Sequence, residues 1–208
     1  GVYGQSVSFQ DDDRERGYYN RPYKRYEAEP GKCKTNGLFL EADHDQRMLQ
    51  SEASNQQALC LTAFEAYVEW ENQEEADGLT IRFSLPDGSE GKGSKGTLAL
   101  YVDQVFVSNI DLDSYWAWQY FRKNDSNKYP DNSPAPTSFP RMRFDEKHVR
   151  LAQVIPAGAT VTLRKADAND TPYTIDFVEL EKVPSPVSYE SIEDTNKVRF
   201  EGGNLKTF

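Results

Sequence analysis

No run of about 18 apolar residues occurs in this 208-residue chain, so no membrane span is expected. Cysteine and histidine are scarce. Cys33 and Cys60 cannot make a zinc site without help from histidine or carboxylate, and His44 and His148 show no ligand spacing with them. A disulfide between the two cysteines is open if the domain sits outside the cytoplasm, and two buried free thiols are equally open. No repeat of roughly 20–50 residues is evident, and no long helix is convincing. A basic surplus is missing too: 34 Asp and Glu face 24 Lys and Arg, for a net charge of -10. Such a chain repels a phosphate backbone, which argues against nucleic acid as a partner. Solubility alone explains the charge; neutralisation of some carboxylates by a bound cation is the functional alternative. No signal peptide is visible. The chain opens at Gly1 without Met, as an exported protein trimmed of its signal would, and as any engineered start would.

What is present is aromatic residue and short-period alternation. There are twelve Tyr, eleven Phe and three Trp; some belong to the core, and Tyr and Trp beyond its needs suit a sugar-stacking or protein-binding surface. Leu79, Ile81, Phe83 and Leu85 alternate with Thr80, Arg82 and Ser84, and Pro86-Asp87-Gly88 stops the run. Ala66, Val68 and Trp70 alternate with Tyr67, Glu69 and Glu71, which buries one face and wets the other. Leu98, Leu100 and Val102 face Val105 and Val107 across Asp103-Gln104, a tight hairpin turn without the usual glycine. Further runs lie at residues 37–40, 58–61, 149–151, 161–163 and 173–181.

About nine short strands with turns at roughly 8–12-residue spacing predict an all-β fold, a jelly-roll sandwich of antiparallel strands. Residues 1–24 read as a polar arm or linker around Asp11-Asp12-Asp13-Arg14-Glu15-Arg16. Residues 25–183 form the sandwich. The stiff run Val183-Pro184-Ser185-Pro186-Val187 leads out of it, and residues 184–208 are read as a linker and the start of a truncated C-terminal domain, with too little apolar content to fold alone. Residues 113–143 are read as one long irregular stretch rich in Tyr, Trp and Pro. Such a loop is either functional or folds back on its own aromatics.

Several stretches, taken in their joint order, resemble a known family. They are Tyr26-Glu27-Ala28-Glu29, Glu52-Ala53-Ser54, Gln57-Ala58-Leu59, Tyr67-Val68-Glu69-Trp70, Ile81-Arg82-Phe83-Ser84-Leu85-Pro86-Asp87, Leu100-Tyr101-Val102-Asp103, Phe144-Asp145-Glu146, Ile155-Pro156-Ala157-Gly158 and Thr174 to Glu181. From about Tyr26 to Val187 the chain resembles the carbohydrate-binding modules of families 6 and 35, of the galactose-binding-like fold. More narrowly it is similar to the N-terminal sandwich of bacterial α-1,3-glucanase-like enzymes, which precedes a right-handed parallel β-helix. The chain departs from that pattern where Ser54-Asn55-Gln56 replaces a Gly-rich turn and Asp103-Gln104 an Asn-Gly hairpin.

The resemblance implies a structural calcium held by Glu27, Glu29 and Asp176, with carbonyls of the Ser51–Asn55 turn completing the shell; hard oxygen ligands are what calcium takes. Read without it, Glu27 and Glu29 are ordinary edge-strand charges. By their chemistry Trp116, Trp118, Tyr120 and Tyr173 are candidates for stacking on a sugar ring, and Asn169 and Asp170 for polar sugar contacts. Trp116 and Trp118 packing against a neighbouring domain is the alternative. The resemblance implies a secreted, periplasmic or cell-surface location. The expected function is a non-catalytic carbohydrate-binding or accessory domain of a polysaccharide-degrading enzyme, with a polysaccharide or oligosaccharide and a C-terminal catalytic β-helix of the same polypeptide as partners. A purely structural domain without its own sugar site is the alternative. Catalysis by this chain alone is not expected: Asp145-Glu146 is the only tempting carboxylate pair, and neighbours on a strand point to opposite faces.

Overall fold

The structure is a computed structural model, and it describes residues 21–122 and 138–185. The residues expected to form the N-terminal arm up to 20, the end of the chain from 186, and Tyr129, Pro130, Pro134 and Pro136 of the aromatic stretch lie outside the described residues.

The described residues contain thirteen strands: β1 (Tyr23–Glu27), β2 (Lys34–Thr35), β3 (Leu38–Leu40), β4 (Ala58–Leu61), β5 (Tyr67–Glu71), β6 (Ala76–Ser84), β7 (Lys95–Val102), β8 (Val105–Asp113), β9 (Gln119–Arg122), β10 (Ser138–Arg141), β11 (Asp145–Ile155), β12 (Thr160–Lys165) and β13 (Tyr173–Glu181). Eleven of them form the expected all-β sandwich. One sheet runs β11-β6-β13-β4-β3 with β1 also on β13, the other runs β2-β5-β12-β7-β8, and every pairing is antiparallel. The alternating runs do what period two demands. Val68, Trp70, Leu79, Ile81, Phe83, Leu98, Leu100, Val161 and Leu163 fill the space between the sheets. Asp103 and Gln104 turn the β7–β8 hairpin with φ of 48° and 65°, the left-handed pair that suits the twist of the flanking strands.

The stretch expected to be irregular over 113–143 contains a two-stranded ribbon, β9 with β10. Pro140 pairs with Tyr120 in it, and a ribbon with a free edge on each side is where a sheet tolerates proline. β2 is only two residues long and carries no readable period.

β13 changes neighbours partway along one side. Tyr173, Thr174 and Ile175 pair with β4, whereas Phe177 to Glu181 pair with β1. On its other side the register to β6 slips between Ile175 and Phe177, a β-bulge with Asp176 as the extra residue. The bulge breaks the alternation, so Ile175 and Val178 both enter the core three residues apart. The backbone carbonyl of Asp176 accepts from Ala28 N at 2.9 Å, and its side chain is left for the gap between β4 and β1.

β8 and β11 are the outer strands of their sheets on one side of the sandwich. The seam between them is open at both ends. One end is a polar cleft of about 450 Å³ lined by Lys95, Thr97, Asp111, Asp113, Lys147 and Asp167. The other is an apolar groove of about 210 Å³.

Candidate functional site

The turn at residues 53–56 fills the gap beside Asp176. Asn55 and Gln56 have φ of 48° and 58°, so this sequence makes with Asn and Gln a bend that glycine would make more cheaply. The bend presents Ser54 to Asp176. The Ser54 amide donates to Asp176 Oδ1 at 3.0 Å, and the Ser54 hydroxyl lies 2.7 Å from the same oxygen and 2.6 Å from Glu27 Oε2. One hydroxyl hydrogen therefore faces two carboxylate oxygens. Arg82 donates to Asp176 Oδ2 and, at 3.2 Å, to the carbonyl of Glu52. Asn55 Nδ2 donates to Glu29 Oε1 at 2.9 Å.

The electrostatics follow from this crowding. Burial pushes the Glu27 carboxyl up to about 7 against the pull of the Ser54 hydroxyl, and the charges of Asp176 and Glu29 push the same way. Asp176 is fully buried, and burial raises its carboxyl above the ordinary range although Ser54 and Arg82 pull it down. Glu29 is also buried.

Glu27, Glu29 and Asp176 thus meet on one turn, each held by a donor of the protein itself. Among the described residues no group of three or more His, Cys, Asp or Glu side chains is gathered closely enough to hold a metal ion. The donor chemistry suits calcium, being all carboxylate and hydroxyl oxygen with more negative charge than Arg82 offsets. A bound ion would need the carboxylates to draw together and the Ser54 hydroxyl to leave its place between two of them.

A second anchor holds the segment leading to this turn. Arg143 is buried and donates to Glu52 Oε1 at 2.9 Å and to the carbonyls of Gln46, Arg47 and Met48, while its amide donates to Glu52 Oε2. The sequence reading missed both Arg82 and Arg143. The expected shell was backbone carbonyls of the turn; the amide and hydroxyl of Ser54 and the side chain of Asn55 are what the turn brings to these carboxylates.

The sugar-contact candidates separate sharply. Trp116 is 78% exposed, and Tyr115 meets it edge-on at 4.6 Å between ring centroids. Gly93 sets up this corner: it has φ of 69°, and a Cβ there would lie 2.3 Å from the Tyr115 amide nitrogen, so only glycine lets the two loops meet. Trp118 is half-buried, donates from Nε1 to the Leu85 carbonyl at 2.8 Å and lies against Tyr120. Tyr120 is buried and donates to Asp87 Oδ2 at 2.8 Å; burial and that carboxylate both push its phenol up.

Tyr120 and Tyr173 are corrected as stacking residues. Tyr173 is fully buried, donates to Asp167 and lies beneath the ammonium of Lys165, so neither of its faces is free for a sugar. Asn169 and Asp170 are exposed. The Asn169 side chain is committed to its own turn, accepting from Thr171 N at 3.0 Å, and its carbonyl accepts from Lys165. Trp116, Trp118, Asn169 and Asp170 come from loops at the same end of the sandwich, where β6 ends and β13 begins. The polar cleft was not foreseen: its lysines and aspartates sit on four separate segments and form no local motif. Cys33 and Cys60 are both free thiols, and burial pushes Cys33 up to about 11.

Comparison with known proteins gives this geometry a family. The model of "Alpha-1,3-glucanase catalytic domain D1" matches residues 20–183. Among solved structures, the Agl-KA catalytic domain is 34% identical with a TM-score of 0.73, covering 81% of this chain and 29% of that one. The catalytic unit of a thermostable GH87 alpha-1,3-glucanase from Streptomyces thermodiastaticus strain HF3-3 is 28% identical with a TM-score of 0.61, covering 80% of this chain and 27% of that one. A family 35 carbohydrate binding module from Clostridium thermocellum shares the fold at 12% identity and a TM-score of 0.50, covering 77% of this chain and 98% of that one. Among curated proteins none matches. The chain spans less than a third of the length of the glucanase chains it matches. The expectation that this chain is not an enzyme is overturned, because the family it matches is a glucanase catalytic domain and the solved neighbours at 34% and 28% identity are the Agl-KA catalytic domain and the catalytic unit of a glucanase.

Proposed function

Since this chain belongs to the alpha-1,3-glucanase catalytic domain D1 family, we propose that it is the sandwich part of a secreted glycoside hydrolase that degrades an α-1,3-linked glucan. The observation that carries the reading is the exposed ring of Trp116, braced by Tyr115 at the loop end of the sandwich. An indole face held open to solvent stacks on the C–H face of a hexose, and the brace lowers the ordering cost of doing so. The half-buried Trp118 backs the same corner through its bond to Leu85. The exposed Asn169 and Asp170 offer hydroxyl partners at that end.

The remainder of the catalytic unit, a right-handed β-helix by the resemblance, is proposed to follow in the same polypeptide. A structural calcium belongs to this proposal, held by Glu27, Glu29 and Asp176. Its support is the excess of buried carboxylate around Ser54 and the upward push on Glu27, both of which a divalent cation would relieve. Such an ion would pin the 53–56 turn across the gap in the sheet. Among the described residues no helix is long and apolar enough to cross a membrane.

The test is retention of the purified 208-residue chain on insoluble α-1,3-glucan, with cellulose as the control matrix. Binding to the first alone, lost in Trp116→Ala, supports the reading. Equal passage through both matrices sinks it.

A further inference from the structure

The apolar end of the seam has no role in the glucan reading. Val105, Val107, Leu151, Val154 and Ile155 line the groove between β8 and β11, and Val105 and Val154 are 67% and 42% exposed. Phe106, beside them on the hairpin, is exposed too. β11 leaves its partner there: Arg150 pairs with Gly78 and Ile155 with Ala76, so residues 151–154 have no partner on β6, and Ala152, Gln153 and Val154 are exposed while Leu151 stays in the core. Contiguous exposed aliphatic surface of this kind marks a place where something packs.

The path of the chain says what. After β13 the backbone passes over β6, the strand between β13 and β11. The Val183 amide donates to Asp77 Oδ1 at 2.8 Å, and Val183 lies so close over Gly78 that a Cβ there would come within 2.6 Å of it. Asp77 in turn accepts from Arg150 of β11 at 3.0 Å. Val183, two residues before the last described residue Ser185, thus lies over β6 and shares Asp77 with Arg150 of the strand that carries the groove. The sequence that continues, residues 186–208, holds Val187, Tyr189, Ile192, Val198 and Phe200, spaced among charges and too few to build a core alone. β1 also starts at this end, but on the far side of β13 from β11.

We propose that residues 186–208 of this chain dock in the apolar groove between β8 and β11, where their aliphatic and aromatic side chains cover Val105, Val107 and Val154. Docking would close the seam at the end where β11 lacks a strand partner. The inference is independent of glucan binding.

The test is amide hydrogen exchange of the full 208-residue chain. Amides of residues 187–200 are expected to exchange roughly tenfold or more slowly than in the free peptide of that sequence. Val154→Asp should return them to the free rate while amides of β5 and β12 stay unchanged. Val105→Asp, on the exposed hairpin, repeats the test at a site where folding is not at stake. Exchange at the free rate in the unsubstituted chain overturns the proposal, as does protection that survives both substitutions. Protection that disappears from residues 1–20 instead makes the N-terminal segment the occupant, and protection that grows with protein concentration makes it a second copy; either result overturns the proposal too.

Discussion

Ser54 gives both its amide and its hydroxyl to the carboxylate of Asp176, a residue 122 positions further along the chain. The two elements they join, a bend with two left-handed residues and a bulge at a change of strand partner, are each irregular alone. Together they close the gap between β4 and β1.

Ser54→Ala removes the hydroxyl hydrogen shared by Glu27 and Asp176 and leaves buried carboxylate oxygen unserved. The expected cost is about 1–3 kcal/mol of folding stability, seen as a lower urea midpoint with an unchanged slope. A midpoint equal to that of the parent would mean that solvent already serves these oxygens.

Stability without calcium should depend on pH through Glu27. Its carboxyl holds a proton to about 7 in the folded protein but only to 4.5 as an ordinary glutamate. Between those values the folded state binds more protons than the unfolded one. The contribution of Glu27 is therefore full below the lower value and is lost as pH rises through the upper one. Urea midpoints in chelator are expected to fall between about pH 5 and about pH 8, and Glu27→Gln is expected to flatten that fall.

Calcium should reverse the same trend, because it binds the ionised form. Saturating calcium at neutral pH or above is expected to raise the melting temperature, and Asp176→Asn to abolish the rise. An identical melting curve with calcium and with chelator would show that Glu27, Glu29 and Asp176 hold no ion.

Two aromatic substitutions should behave in opposite ways. Trp116→Ala, at a site 78% exposed, is expected to lose glucan retention with the melting temperature unchanged. Tyr120→Phe removes the donor to Asp87 and is expected to cost about 1 kcal/mol of stability with retention intact. Loss of retention in Tyr120→Phe alone would move the contact away from Trp116.

Arg143→Ala removes a buried guanidinium that holds Glu52 and three backbone carbonyls. Leaving Glu52 without its partner is expected to cost roughly 3–5 kcal/mol. Faster hydrogen exchange should begin in residues 46–52 and spread to the Ser54 turn. Change confined to β10 and β11 would show that the arginine does not hold the segment.

The order of elements was legible in the sequence because period two is a local property. Leu79 to Leu85 and Ala66 to Glu71 needed only their own spacing to declare which face is buried. The Asp103-Gln104 turn was legible from the runs on either side of it. Even the bulge has a local trace, since Ile175 and Val178 are both core residues an odd number of positions apart. What the spacing could not say is which side chain fills the gap that the bulge opens. The resemblance brought the Ser51–Asn55 turn to Asp176, but tertiary structure alone decided that Arg82 joins them and that Ser54 meets the carboxylate as a donor, because these segments touch only once the sheet has formed. It alone decided that Tyr173 is core and Trp116 surface: the two rings have similar chemistry, and burial is set by neighbours in space rather than neighbours in sequence. The seam between β8 and β11, polar at one end and apolar at the other, is likewise a product of strand order, which no single strand encodes.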